Sequence, residues 1–229
     1  MKCIVPLAGP DLHSAEFGLR PLFLWNNKPL LAHVLNGRRW RPKLDPSDYI
    51  FVLRTVPDIE ILREFIAHHW PGSSTVIISD LSKGALFSCL AGISLVSPQE
   101  ALIIDLADIA FSEGPEDPES DMKGSCEALV PCFTSRESCF SYLRFDRDVL
   151  KEAAEKRVIS ELASAGVYMF ATTEVFLSCA AWSMAHYSEV SVGDVLFVCP
   201  AINALVGKHG AVKAPIVNDP VAIGKIFHR

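Results

Sequence analysis

Four apolar runs of strand length, each followed by a stretch with helical spacing, constrain this chain more than any other feature. The runs are Cys3-Ile4-Val5-Pro6-Leu7, Tyr49-Ile50-Phe51-Val52-Leu53, Ser74-Thr75-Val76-Ile77-Ile78 and Ala101–Leu106. Such runs do not alternate with polar residues, so they read as strands covered on both faces. Between them, apolar residues recur at helical intervals. Leu30, Leu31, Val34 and Leu35 follow Pro29; Ile59, Ile61, Leu62, Phe65 and Ile66 follow Pro57-Asp58; Leu86, Cys89, Leu90 and Ile93 follow Ser82-Lys83-Gly84-Ala85. Parallel strands need long crossovers, and helices supply them. The expected fold is α/β, with a mostly parallel central sheet and helices on both faces.

After residue 112 the alternation stops. Glu113–Asp121 is acidic and rich in turn formers, and reads as an exposed loop. Short β-like runs follow at Ala128–Phe133 and Cys139–Phe145, the second alternating like a half-solvated strand. Asp146-Arg147-Asp148 then makes a turn. Ala163–Phe170 is a further strand with Gly166 inside it, where a glycine marks the close approach of backbone or ligand. Helices are expected at 172–186 and 198–207, a strand at 211–217 and a closing helix at 220–227. The whole, 1–229, is taken as a single domain whose halves are 1–112 and 124–229. The basic connection Gly37–Lys43 reads as a solvated loop.

Half of the 229 residues are hydrophobic, which excludes global disorder. A net charge of −6 argues against a nucleic-acid partner. An anionic ligand would have to be met by local charge. The seven cysteines are an odd set without Cys-x-x-Cys spacing, and Cys3, Cys89 and Cys199 lie in apolar runs, as buried thiols do. The sequence shows no signal peptide and no stretch of bilayer-spanning length, so a cytoplasmic protein without a membrane partner is expected. His13, His68-His69, His186, His209 and His228 receive no role.

The opening carries the chemistry. The first strand ends at Ala8-Gly9-Pro10. Two basic residues then stand directly before prolines, at Arg20-Pro21 and Lys28-Pro29. A strand, a glycine loop and a helix make a place where backbone N–H groups converge on phosphate. The order Leu7-Ala8-Gly9, Leu19-Arg20-Pro21-Leu22, Asn27-Lys28-Pro29-Leu30 resembles the opening of the sugar nucleotidyltransferases. Those enzymes join a nucleoside triphosphate to a sugar 1-phosphate. Later segments extend the likeness over nearly the whole chain: Ser82-Lys83-Gly84-Ala85, Ile103–Asp108, Ala154–Ser160, Ala163–Phe170, and Gly193-Asp194 with Cys199–Asn203.

The resemblance implies a nucleotide-diphospho-sugar transferase fold of the GT-A, Rossmann-like kind. It implies release of pyrophosphate with Mg²⁺ as cofactor, and a nucleoside triphosphate and a sugar phosphate as partners, within a subgroup that includes capsule and lipopolysaccharide sugar supply. It assigns Leu7, Ala8, Gly9 and Gly84 to the nucleotide, which the 1–112 half would bind. Arg20, Lys28 and Asp108 become catalytic, Asp108 also holding the metal. Lys156, Glu155, Gly166 and Asp194 fall to the sugar phosphate, in the 124–229 half. Asp105 either shares the metal or faces solvent. An oligomer is compatible with all of this.

The charged positions depart from the family pattern. Asp11 stands at the loop's second glycine, Leu12 at its Ser/Thr, His13 at its arginine, and Arg20 at the lysine of Pro-Lys-Pro. A carboxylate at Asp11 repels a triphosphate unless it holds a cation. Towards the end, Asn218-Asp219-Pro220 replaces a segment with a second metal carboxylate. Two other readings therefore stay open: a binding or partner protein that kept the fold and lost the chemistry, and a glycosyltransferase using a finished NDP-sugar.

Overall fold

The apolar runs do lie side by side in one sheet, although Ser74–Ile78 is its edge strand and is not covered on both faces. The computed structural model describes residues 1–227, and His228 and Arg229, the end of the expected domain, lie outside the described residues. In chain order come Lys2–Pro6 (β1), Leu30–Asn36 (α1), Tyr49–Arg54 (β2), Ile59–His69 (α2), Ser74–Ile78 (β3), Ala85–Ile93 (α3) and Leu102–Asp105 (β4). Strand β1 pairs in parallel with β2 and β4, and β2 with β3. Further along come the strands Ile109–Ser112 (β5), Ala128–Leu129 (β6), Cys132–Thr134 (β7), Ser141–Asp146 (β8), Val149–Glu155 (β9), Leu162–Ser164 (β10) and Val167–Phe170 (β11). Helix Thr173–Ala185 (α4) and strands Val212–Lys213 (β12) and Asn218–Ala222 (β13) follow.

The main sheet has seven strands in the order β12-β6-β11-β4-β1-β2-β3. Only β11 runs against its neighbours β4 and β6. A second, antiparallel sheet has the order β7-β10-β8-β9. Because β11 lies between β4 and β6, the two halves of the chain share one sheet.

Period-two alternation sorts the core. Cys3, Val5, Phe51 and Leu53 face α1 and α2, meeting Leu31, Leu35, Leu62 and Ile66. Their neighbours Ile4, Ile50, Val52 and Ile104 face the other way, towards Leu86 and Cys89 of α3 and Phe176 and Cys179 of α4. Burial of one such aromatic or branched side chain contributes roughly 1.5–3 kcal/mol. Helix α4 starts at Thr172, whose side chain accepts a hydrogen bond from the Val175 N–H. Among the described residues no helix is long and apolar enough to cross a membrane.

Several expectations change. Val149–Glu155 is a strand that polar residues at Lys151, Glu152 and Glu155 conceal. The run 163–170 breaks at Ala165-Gly166, so β10 and β11 join different sheets. The 198–207 segment is a helical turn, Val198–Ala201, continued as a 3₁₀ turn, Ile202–Leu205. Only Val212–Lys213 of the expected 211–217 strand is extended and paired as a strand. The closing helix at 220–227 is instead β13 followed by a 3₁₀ turn at Ile223–Phe227. Pro220 fits there because among the described residues β13 pairs with β5 alone. The acidic segment is not a free loop: Pro118–Asp121 forms a helical turn capped by Asp117. Asp117 also pairs with Lys43 at 3.2 Å, and Glu116 with Arg39.

Candidate active site

Strands β1 and β4 end at a cleft of about 550 Å³. Open sheets of this kind present their ligand sites at such carboxyl ends. Leu7 and Gly9 line it just after β1, Arg20 from the next loop, and Asp108 just after β4. Glu155 and Lys156 enter from the end of β9, and Gly166 from the break between β10 and β11. Segments far apart in sequence therefore bring seven expected site residues to one hollow.

Four others do not line it. Ala8 is buried behind the turn. Lys28 is exposed on the hairpin that pairs Leu24-Trp25 with Lys28-Pro29. Asn26 and Asn27, both at positive φ, close that hairpin as a tight turn demands. Gly84 packs against backbone: a Cβ there would lie 2.1 Å from the Leu196 carbonyl oxygen, and it is Ala85 that reaches the cleft. Asp194 is exposed, taken up by Lys83 Nζ and the Tyr187 hydroxyl, each at 2.8 Å.

Asp108 owes its place to the turn after β4. Asp105, the last residue of β4, is wholly buried and faces neither solvent nor the cleft. Arg38 meets it with two bonds, Nε to Oδ2 and Nη2 to Oδ1, both 2.8 Å. The basic connection at Gly37–Lys43 thus sends its first arginine inward, against the sequence expectation. The Arg38 guanidinium lies 4.1 Å from the centre of the Phe111 ring. Past Asp105, Ala107 takes a left-handed φ of 54° and Asp108 opens to the cleft. Gly166, at φ 73°, lies beneath it; a Cβ there would sit 2.3 Å from Asp108 Oδ1. The glycine's close approach is to this carboxylate.

The cleft holds two carboxyl groups that resist their own charge. Crowding by protein and then the Asp105 carboxylate push Asp108 up to about 6, although its side chain still opens to water. Burial pushes Glu155 up to about 7, opposed by a hydrogen bond from Ser141 Oγ and by the Lys156 charge, while Asp108 adds to the rise. Deeper in, Ser164 Oγ donates to the Tyr168 hydroxyl at 3.0 Å and accepts the Gly166 N–H at 3.2 Å.

Arg20 and Lys156 supply the positive charge. Arg20 pairs with Asp11 at 2.9 Å and stacks over Phe227 at 4.1 Å. Phe17 and Phe23 pack edge-on around that ring. Lys156 holds a left-handed φ of 52° and points its ammonium towards the Phe197 ring, 5.2 Å away. Ser141, Ser164, Tyr168 and Phe197 also line the cleft and were not picked out from the sequence. For Ser141 a signal existed: in an alternating strand it falls on the face opposite Tyr142.

Among the described residues no cluster of three or more His, Cys, Asp or Glu side chains is placed to hold a metal ion. Magnesium asks for less, commonly one or two carboxylates completed by substrate phosphates and water. Asp108 forms no salt bridge among the described residues, and it shares the cleft with Glu155. Two carboxyl groups with raised proton affinity suit a divalent cation, so the residues present fit the group.

No protein-family profile matches the sequence, and no curated protein does. Solved structures match over nearly the full length. The nucleoside-diphosphate-sugar pyrophosphorylase of Vibrio cholerae RC9 aligns at TM-score 0.76 and 16% identity, covering 97% of this chain and 95% of that one. A Bacillus anthracis protein assigned as a glucose-1-phosphate thymidylyltransferase, in complex with a sucrose, aligns at TM-score 0.74 and 14% identity, covering 98% and 90%. A UDP-glucose pyrophosphorylase complexed with UDP-glucose aligns at TM-score 0.70 and 16% identity, covering 99% and 94%. The chain has the fold of the sugar nucleotidyltransferases.

Proposed function

We propose that the protein is a sugar-phosphate nucleotidyltransferase. It would convert a nucleoside triphosphate and a sugar 1-phosphate to an NDP-sugar and pyrophosphate, in the cytoplasm, as a supplier of polysaccharide precursors such as those of capsule or lipopolysaccharide. The observation that carries this reading is the convergence of Arg20, Asp108 and Lys156 on one cleft at the carboxyl ends of β1 and β4.

The reaction brings two polyanions together. An oxygen of the sugar phosphate attacks the α-phosphorus, the α–β anhydride bond breaks, and pyrophosphate leaves with the electron pair. Alignment and charge neutralisation do most of the work in such a transfer. The turn at Leu7–Gly9 would border the nucleotide, and Lys156 would draw the sugar phosphate towards it. Arg20 would meet phosphate oxygens once released from Asp11. Asp108, with Glu155 beside it, would hold Mg²⁺. When bound, that ion supplies positive charge to the phosphate oxygens.

A screen for pyrophosphate release with the common nucleoside triphosphates and sugar 1-phosphates in Mg²⁺ tests this. One active pair, silenced by Asp108→Ala, is expected. Absence of both turnover and binding throughout the screen would overturn it. The Asp11–Arg20 pair favours one rival reading, a protein that binds such anions without turnover, and calorimetric binding with no pyrophosphate release would select it.

A further inference from the structure

We infer that Arg38, outside the cleft, is a positioning residue for Asp108 and acts through Asp105. This deepens the reading above, since it rests on Asp108 being the working carboxylate.

The chain of contacts is short. Arg38 holds both Asp105 oxygens at 2.8 Å. Asp105 Oδ1 also accepts the Ala107 N–H at 2.9 Å. That bond fixes Ala107 at φ 54°, a conformation that a residue with a Cβ adopts at a cost. Asp108 is next along the chain. Two backbone bonds brace the same turn, Leu106 N–H to the Gly166 carbonyl at 2.9 Å and Ile223 N–H to the Asp108 carbonyl at 2.8 Å. Only the Asp105 bond comes from a side chain, and only it needs a counter-charge.

The alternative is a pair that merely fills the core. Burying two charges is costly, and an apolar pair of similar volume often serves stability as well or better. Asp105 is fully buried and Arg38 nearly so. What an apolar pair cannot supply is the acceptor for Ala107. The Arg38 planar fork holds Asp105 in the one orientation that presents Oδ1 to the turn.

The test compares wild type with Arg38→Met/Asp105→Leu and Arg38→Lys, using two readouts. The first, hydrogen exchange of the segment 106–109, does not depend on turnover. In the double variant we expect melting close to wild type but exchange of this segment at least tenfold faster. The second is pyrophosphate release, where kcat should fall at least tenfold while KM for both substrates stays within about twofold. A double variant that keeps wild-type protection and kcat overturns the inference, leaving the pair as core filler. If wild type shows no turnover but the double variant loses protection in this segment, the nucleotidyltransferase reading fails and the positioning claim stands. If the double variant does not fold, Arg38→Lys decides. A fall in kcat and in segment protection at unchanged melting supports the relay, and unchanged values of both overturn it.

Discussion

Asp11 and Arg20 face each other at 2.9 Å within the cleft, so the carboxylate of the loop after β1 is neutralised by a cation from the next loop. The pair is lopsided: the Asp11 side chain is 70% exposed and that of Arg20 only 12%. Water screens an ion pair with one open partner, and such pairs contribute about 0–1 kcal/mol. An incoming phosphate can therefore displace Asp11. Asp11→Asn should tighten inorganic pyrophosphate binding by roughly two- to fivefold, a gain that shrinks with added salt. Arg20→Ala should weaken it at least tenfold. Titration calorimetry at two ionic strengths reads both, and weaker binding by Asp11→Asn would show that Asp11 helps to hold the ligand.

Glu155 predicts a pH signature. Its carboxyl rises from 4.5 to about 7 on folding. Between those values the folded state binds more protons than the unfolded chain, so stability falls as pH rises through the window. The penalty is absent below about pH 4 and fully developed above about pH 7, at most on the order of 3 kcal/mol. Asp108, also raised, acts in the same direction. Glu155→Gln should therefore raise the melting temperature at pH 8 in EDTA and leave it unchanged at pH 4. An equal effect at both values would contradict the assignment of the shift to burial of the charge.

Lys156 separates binding from folding. It is exposed and follows β9, the edge strand of the antiparallel sheet, at a left-handed φ that the turn imposes. Lys156→Asn keeps a residue that tolerates this conformation and removes the charge. We expect unchanged melting and a KM for the sugar phosphate about tenfold higher, with the nucleotide KM little affected. An unchanged sugar-phosphate KM would place the second anion elsewhere.

Legibility followed burial. The strands β1, β2 and β4 were readable because each is covered on both faces and is therefore largely apolar, as Tyr49–Leu53 shows, whereas β3 lies at the sheet edge with Ile77 exposed and was readable from Val76-Ile77-Ile78 alone. Strand β9 was hidden because its sheet is half solvated and Lys151, Glu152 and Glu155 break the pattern. Lys28 lies off the cleft for a local reason: Asn26-Asn27 is a hairpin turn signal that Pro29 overshadowed. Arg38 shows a deeper limit. In sequence it stands among basic residues in a connection, and nothing local reveals that Asp105, 67 positions later, draws it inside. The cleft residues that were legible sit at strand ends or beside glycine. Of those that were missed, Ser164 and Tyr168 are uncharged and looked like ordinary strand.

Two glycines give the sharpest contrast. At Gly166 a Cβ would lie 2.3 Å from Asp108 Oδ1, and φ is 73°. Alanine there costs about 1–2 kcal/mol for the left-handed backbone alone. The clash falls on the tip of a side chain that can turn, so the fold should survive while Asp108 rotates away. At Gly9 the φ is −68° and an added Cβ meets nothing within 4 Å. Gly9→Ala should therefore melt like wild type, and any effect on nucleotide KM would come from the ligand it borders. Gly166→Ala should lower the melting temperature modestly and kcat at least tenfold. Melting curves and steady-state kinetics on the two variants check this. If Gly166→Ala keeps full kcat, Asp108 works without its seat on the glycine, and the cleft geometry loses its most specific constraint.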